Sequence, residues 1–241
     1  MIVLENLTKH YGKTIAVRRL SVTIPAGQIF GFIGPNGAGK TTTIKMMGGL
    51  LAPTSGSVNI CGINMATHPE QAKAKIGFIP DRPYLYEKLT AMEFLRFTAA
   101  LYGVDGSGFA ARAEEKLHLF ALLDRADELI ESFSHGMKQR LIMAAALLHS
   151  PEVIIVDEPM VGLDPVAIKM VKNLFKRLAA EGIAIFMSTH TLQVAEDVCN
   201  RIGVIHKGAL LAIGSIDELR HDTSLQGAGL EDVFIKLTAE N

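Results

Sequence analysis

The chain has 241 residues, 49% hydrophobic and 20% charged, with 24 Lys plus Arg against 25 Asp plus Glu and a formal net charge of -1. That length suits one domain, or one core with a subdomain, and the even charge balance gives no support to a nucleic-acid partner, a local basic patch aside. The longest apolar run, residues 141–148, is far short of a membrane span, and nothing resembles a signal peptide. Cys61 and Cys199 stand apart from each other and from clustered histidines, against a disulfide scaffold or a metal cluster. A cytoplasmic chain is expected, anchored by something else if it works at a membrane.

In chain order, residues 1–4 and 16–24 read as strands, and a turn at 25–27 leads into a third apolar strand that ends at Ile33. A glycine-rich run follows at once: Gly34, Pro35, Asn36, Gly37, Ala38, Gly39, Lys40, Thr41 and Thr42. A short buried strand, a glycine-rich turn and then a helix is the setting of a phosphate-binding loop. Backbone N–H groups uncovered by the missing side chains can close around phosphate oxygens, and a helix starting near Gly39 adds its positive end. Lys40 is expected on the β- and γ-phosphates, with the Thr41 hydroxyl on Mg2+. A tight structural turn is the alternative. ATP or GTP binding is expected.

That helix is predicted to run to about residue 50, followed by short strands at 57–61 and 75–79. From about 90 to 150 the texture turns helical. Met92, Leu95, Thr98 or Ala99, and Tyr102 make one stripe, and Leu117, Phe120, and Leu123 or Asp124 make a second, with 103–108 between them. Strand patterning returns at 153–156, then a helix at 166–180 and a strand at 183–187. Short strands around Lys207 and Gly208 and helices at 216–220 and 231–237 close the chain. This order describes an α/β nucleotide-binding core, residues 1–83 and 151–213, interrupted by a helical insert at 84–150 and ending in a helical tail at 214–241.

Three further segments carry chemistry. The apolar run 153–156 delivers Asp157 at its carboxyl end, where a carboxylate can hold Mg2+ through water, and Glu158 can orient or deprotonate an attacking water. An acidic surface turn is the alternative. His190 follows another apolar strand, within reach of a γ-phosphate or the water, unless it is structural. Ser134 is a plausible N-cap to an apolar helix, and Gly136 leaves its backbone open to an anion, although an ordinary capped helix explains the pattern as well.

Taken in order, these segments resemble the ATP-binding-cassette ATPases over nearly the whole chain. The resemblance implies a P-loop NTPase cassette with an N-terminal antiparallel β-subdomain and an inserted helical subdomain. It also implies ATP and Mg2+ as cofactors, and a second cassette packed head to tail so that two ATP molecules lie between the pair. Tyr11 resembles the aromatic residue that stacks on adenine. Ser134, His135, Gly136 and Met137 occupy the signature positions that reach ATP held by the opposite subunit. Asp157 resembles the magnesium aspartate, Glu158 the catalytic glutamate and His190 the switch histidine, while Asp164 lies in the 162–165 loop that couples the two sites.

Two departures stand out. The signature usually begins Ser-Gly-Gly, but His135 occupies the first glycine position, which leaves open an altered phosphate contact or pH response. The family usually carries glutamine where this chain has Asp81, and a carboxylate there can accept a metal-bound water but cannot donate. Residues 81–87 with the helical insert are expected to grip a cytoplasmic helix of an integral membrane permease. Tyr84, Leu85 and Tyr86 are the candidate anchors, with core packing as their alternative. Segments 85–90 and 230–234 resemble the exporter branch with separately encoded membrane subunits. Import, a membrane machine that moves no solute, and a soluble cassette in nucleic-acid maintenance or assembly are the alternatives. The expected protein is an ATPase, peripheral to the cytoplasmic face of the membrane through its partner.

Overall fold

The computed structural model describes all residues except Asp105, Ser224, Gln226, Ala228, Glu240 and Asn241. The first strand is longer than its apolar start predicts. β1 (Ile2–Tyr11) runs on through Glu5, Asn6, Lys9 and His10 because it pairs antiparallel with β2 (Thr14–Ile24), from Ile2 opposite Ile24 to Tyr11 opposite Thr14. Cross-strand bonding rather than burial carries those polar residues, and the register shifts along the hairpin accompany positive φ at Asn6 and Arg19.

After β3 (Ile29–Ile33) comes α1 (Lys40–Met47), which stops short of the expected residue 50. Gly49 turns left-handed at φ 66, and Leu50 donates back to the Lys45 carbonyl at 2.8 Å, closing the helix end. β4 (Ser55–Ile60) and β5 (Ile63–Asn64) complete a four-stranded antiparallel sheet in the order β2-β1-β4-β5. The chain continues through α2 (Pro69–Lys73) and β6 (Ile76–Ile79) into the helical insert.

That insert contains α3 (Ala91–Leu101), α4 (Phe109–Leu119) and α5 (His135–Ala146). A reciprocal Thr90–Glu93 capping box starts α3, and Leu95 and Ala99 of the predicted stripe are buried. The second stripe needs correcting at its end. Leu117 and Phe120 are buried, but Ala121 takes φ 52 and breaks the helical period, so Leu122 turns inward and Leu123 is 38% exposed.

The chain then returns through β7 (Val153–Asp157), α6 (Pro165–Ala180), β8 (Ala184–Thr189), α7 (Leu192–Val198), β9 (Arg201–His206) and β10 (Ala209–Gly214). Two helices, α8 (Ile216–Asp222) and α9 (Leu230–Ala239), end it. The second sheet has six strands in the order β10-β9-β3-β8-β7-β6, all neighbours parallel except the β10–β9 hairpin.

Side chains alternate across this sheet. Phe30, Phe32, Val153, Ile155 and Phe186 face the antiparallel sheet, in a cluster with Leu4, Val22, Ile60 and Met46. Ile29, Ile33, Ile154, Val156, Ile185 and Met187 face the other way, with Leu95, Phe120, Leu141 and Phe175. Burial on both faces explains why β3, β7 and β8 read as unbroken apolar runs. Phe186 lies 5.8 Å from Phe30 and 5.2 Å from Phe32, ring centre to ring centre. Because β3 and β7 both flank β8 in parallel, Ile33 sits opposite Thr189 and Asp157 opposite Ser188. Three strand ends therefore open on one place. Among the described residues no helix is long and apolar enough to cross a membrane.

Candidate nucleotide site

The loop between β3 and α1 is shaped by close backbone approaches. A Cβ on Gly34 would press on the Ile205 carbonyl and lie 2.8 Å from Ile205 Cγ2, and Gly39 takes φ 113 against the Ala16 carbonyl. Gly39 caps α1 with no side-chain hydrogen bond, so the first-turn N–H groups face outward for an anion. Lys40 Nζ donates to the Gly34 carbonyl at 2.7 Å and the Pro35 carbonyl at 3.2 Å. Burial pulls the Lys40 pKa below its ordinary value, with the Glu158 and Asp157 charges opposing.

One brace went unnoticed in sequence. Lys207 and Gly208 have φ 46 and 81, the pattern of a type I′ hairpin turn joining β9 and β10. Gly208 N donates to the Ala38 carbonyl at 2.9 Å, and its carbonyl accepts from Arg18 N at 2.7 Å. A Cβ on Gly208 would meet the Ala16 carbonyl oxygen at 2.9 Å. Gly208→Ala is expected to weaken ATP binding about tenfold, roughly the 1–2 kcal/mol of a strained backbone transmitted to the loop, with a smaller change in turnover. A fluorescent-nucleotide titration checks this, and unchanged affinity would remove the turn from the site.

Asp157 closes β7, 3% exposed. Its Oδ2 accepts from Thr41 Oγ1 at 3.0 Å, and its Oδ1 accepts a short hydrogen bond from Ser188 Oγ. Burial pushes its pKa up; the Ser188 and Thr41 hydrogen bonds pull it down, and the charges of Asp81 and Glu158 push it up further. Glu158, the next residue, takes φ 49, a left-handed conformation that costs a non-glycine residue about 1–3 kcal/mol. The turn aims its carboxylate back at β8. Oε1 accepts from His190 N at 2.9 Å and from His190 Nδ1 at 2.7 Å, and Oε2 accepts from Thr189 Oγ1 at 3.1 Å. A carboxylate acceptor fixes Nδ1 as the protonated ring nitrogen.

Asn36, Gly37, Gly39, Lys40, Thr41, Thr42, Asp81, Asp157, Glu158 and His190, together with Ala16, line one cavity of about 300 Å³. The structure thus gathers the metal and catalytic candidates with most of the predicted phosphate loop, while Gly34, Pro35 and Ala38 do not line the cavity. Other candidates lie elsewhere. Tyr11 ends β1 half exposed, with Lys9 Nζ 5.5 Å from its ring centre. Ser134 caps α5, its Oγ accepting from Met137 N at 3.3 Å, and with His135, Gly136 and Met137 it lies outside this cavity. Asp164 caps α6 by accepting from Ala167 N at 2.8 Å. Tyr84 and Tyr86 are 79% and 59% exposed, whereas Leu85 packs against the core, so the expected trio of anchors divides.

The chemistry of Thr41, Asp157 and Asp81 is hard oxygen, suited to Mg2+ and not to a soft metal. No group of three or more His, Cys, Asp or Glu forms a metal cage among the described residues. Mg2+ is usually held by one or two carboxylates plus phosphates and water, which this set matches. Ser188 and Thr189 are contributors that sequence reasoning passed over. Their signal was two hydroxyl residues ending an otherwise apolar strand.

Residues 17–161 match the model of the ABC transporter family. The chain belongs to that family. The bacitracin transport ATP-binding protein BcrA of Bacillus licheniformis is 42% identical, over 91% of this chain and 71% of the relative. The solved structure of an ATP-binding subunit of an ABC transporter superposes with a TM-score of 0.93 at 34% identity, covering 98% of this chain and 99% of that one. A dimeric ATP-binding cassette in a post-hydrolysis state with ADP and Pi gives 0.82 at 28% identity, covering 90% and 99%. As a member of the ABC transporter family the chain is an ATP-binding subunit and an ATPase.

Proposed function

We propose that this chain is one of two cassettes that close on ATP and power export through a separate membrane permease. The observation that carries it is Glu158, held by His190 and Thr189 at the edge of the cavity that Lys40 and the phosphate loop enclose. In this assignment the loop 34–42 and Lys40 bind the β- and γ-phosphates, and Tyr11 stacks on adenine. Thr41 and Asp157, with Asp81, would hold Mg2+, which supplies charge neutralisation for the phosphates. Glu158 accepts a proton from an attacking water as the oxygen of that water bonds to the γ-phosphorus and the bond to the bridging oxygen breaks, leaving ADP and phosphate. His190 orients the carboxylate. Ser134, His135, Gly136 and Met137 present the α5 end to the partner cassette's ATP, and Asp164 lies at the same junction.

Support for a membrane partner comes from a groove of about 500 Å³ that shares Thr41, Asp81 and Asp157 with the nucleotide cavity. Tyr84 and Leu50 border it, both exposed, and Tyr86 packs edge-on against Phe97 at 5.2 Å. Aromatic and aliphatic anchors beside a groove suit an amphipathic helix from the permease, while Leu85 packs into the core and is no anchor. The shared residues let nucleotide state act on whatever fills the groove. Export is favoured by the exporter-like segments 85–90 and 230–234, and the BcrA relative is a transport protein.

Glu158→Gln protein held with ATP and extracted from its native membranes in mild detergent tests the assignment. A multispanning membrane protein retained with two cassettes is the expected result. Recovery only as a soluble dimer would sink export and point to a non-transport use of the cassette.

A further inference from the structure

The amino end of α5 does not stand free. A Cβ placed on Gly162 would collide with His135 Nδ1 and lie 2.7 Å from Cε1, so the imidazole occupies the space a side chain at 162 would take. Next to it, a Cβ on Gly136 would meet the Gly162 carbonyl at 3.1 Å. Gly162 itself is left-handed, φ 77. The ring at 135 and the missing side chain at 162 therefore fit as a pair.

What the loop touches gives this contact its meaning. Val161 N donates to the Glu158 carbonyl at 3.2 Å and Leu163 N to the Met160 carbonyl at 3.3 Å, a tight turn with Glu158 at one end and Gly162 near the other. Asp164 then anchors the turn to α6 through its cap on Ala167. A short, internally bonded segment moves as a unit. Displacing Gly162 displaces the backbone that carries Glu158.

We infer that His135 is a positioning residue: its ring, seated on Gly162, couples the amino end of α5 to the turn that aims Glu158 of the same subunit. The inference rests on the cassette-pair assignment, in which α5 faces the partner's ATP. Nucleotide held at α5 then biases the hydrolytic carboxylate of the other site through one imidazole contact. The ring acts by filling space, so its nitrogens are dispensable and its volume is not.

A double-mutant cycle with His135→Gly and Gly162→Ala tests this, with His135→Phe as the conservative variant. Gly162→Ala is expected to lower kcat about tenfold beside His135 but only about twofold beside glycine, since the collision is gone and the backbone cost remains. His135→Gly alone is expected to bring the Hill coefficient for ATP towards one, and His135→Phe to keep the native value. Equal effects of Gly162→Ala in both backgrounds would overturn the coupling, as would His135→Phe behaving like His135→Gly. Should Gly162→Ala fail to fold beside His135 and fold beside glycine, that rescue in urea unfolding is the coupling itself. Absence of an ATP-driven dimer of the otherwise native Glu158→Gln protein would instead remove the cassette pair, and the inference with it.

Discussion

Glu158→Gln is expected to lower ATP hydrolysis by about 10²–10⁴-fold, the usual contribution of a positioned general base, while ATP binding stays near native. The substitution is close to isosteric. The glutamine carbonyl can still accept from His190 N, 2.9 Å from Oε1 in the native protein, and Thr189 Oγ1 can turn from donor to acceptor for the new amide. The left-handed backbone at 158 is untouched by a change at the end of the side chain. What disappears is basicity, so the loss belongs in kcat and not in KM. With the phosphate bridge intact, ATP should also accumulate the closed dimer, visible as a shift to doubled mass in size-exclusion chromatography. Single-turnover measurement with saturating ATP is the decisive assay. A variant that keeps a tenth or more of the native rate would move the base elsewhere, His190 first.

Much of this site was legible because its signals are local. A glycine pattern next to a strand and a helix, and carboxylates or a histidine one to three residues beyond apolar strands, need only short windows. Parallel pairing then brings them together, since β3, β8 and β7 lie side by side and their carboxyl ends open on one crevice. Features that depend on distant partners were not legible. β1 extends to Tyr11 only because β2 supplies hydrogen bonds. Gly208 reads as a turn glycine, and its bonds to Ala38 and Arg18 depend on where β9 lies relative to β3. The His135–Gly162 fit joins segments separated by the whole of α5 and β7. Positive φ at Ala121 broke a stripe whose apolar period looked continuous. Short helices such as α2 and α7 also escaped, having too few turns to establish a period.

The same cavity sets stability against function at Asp157, where Asp157→Asn is expected to move the two in opposite directions. Burial is the largest influence on this carboxyl and raises its pKa. A raised folded value means that the folded state holds the proton more tightly than the unfolded chain. That contribution is complete below the ordinary aspartate value of about 3.9 and is lost as pH rises through the folded value. Asparagine cannot ionise and escapes the loss. Its amide oxygen can still accept from one hydroxyl, and its NH2 can donate to the other once that hydroxyl rotates, so the places of Thr41 and Ser188 are kept. Free of nucleotide and Mg2+ at pH 7, the variant should therefore melt higher, each roughly 1 kcal/mol gained appearing as about 2–4 °C in a chain of this size. The gap should close as pH falls below about 4, where native Asp157 is neutral too. Adding Mg2+ and ATP should reverse the order, because the native protein gains stability from ligand that the variant holds weakly. Hydrolysis by the variant is expected to fall at least about 100-fold, as when a principal stabiliser of transition-state charge is lost. Melting curves with and without ligand across that pH range separate the effects. A ligand-free variant that melts lower at pH 7 would show that the Ser188 and Thr41 hydrogen bonds, and not burial, govern the carboxyl.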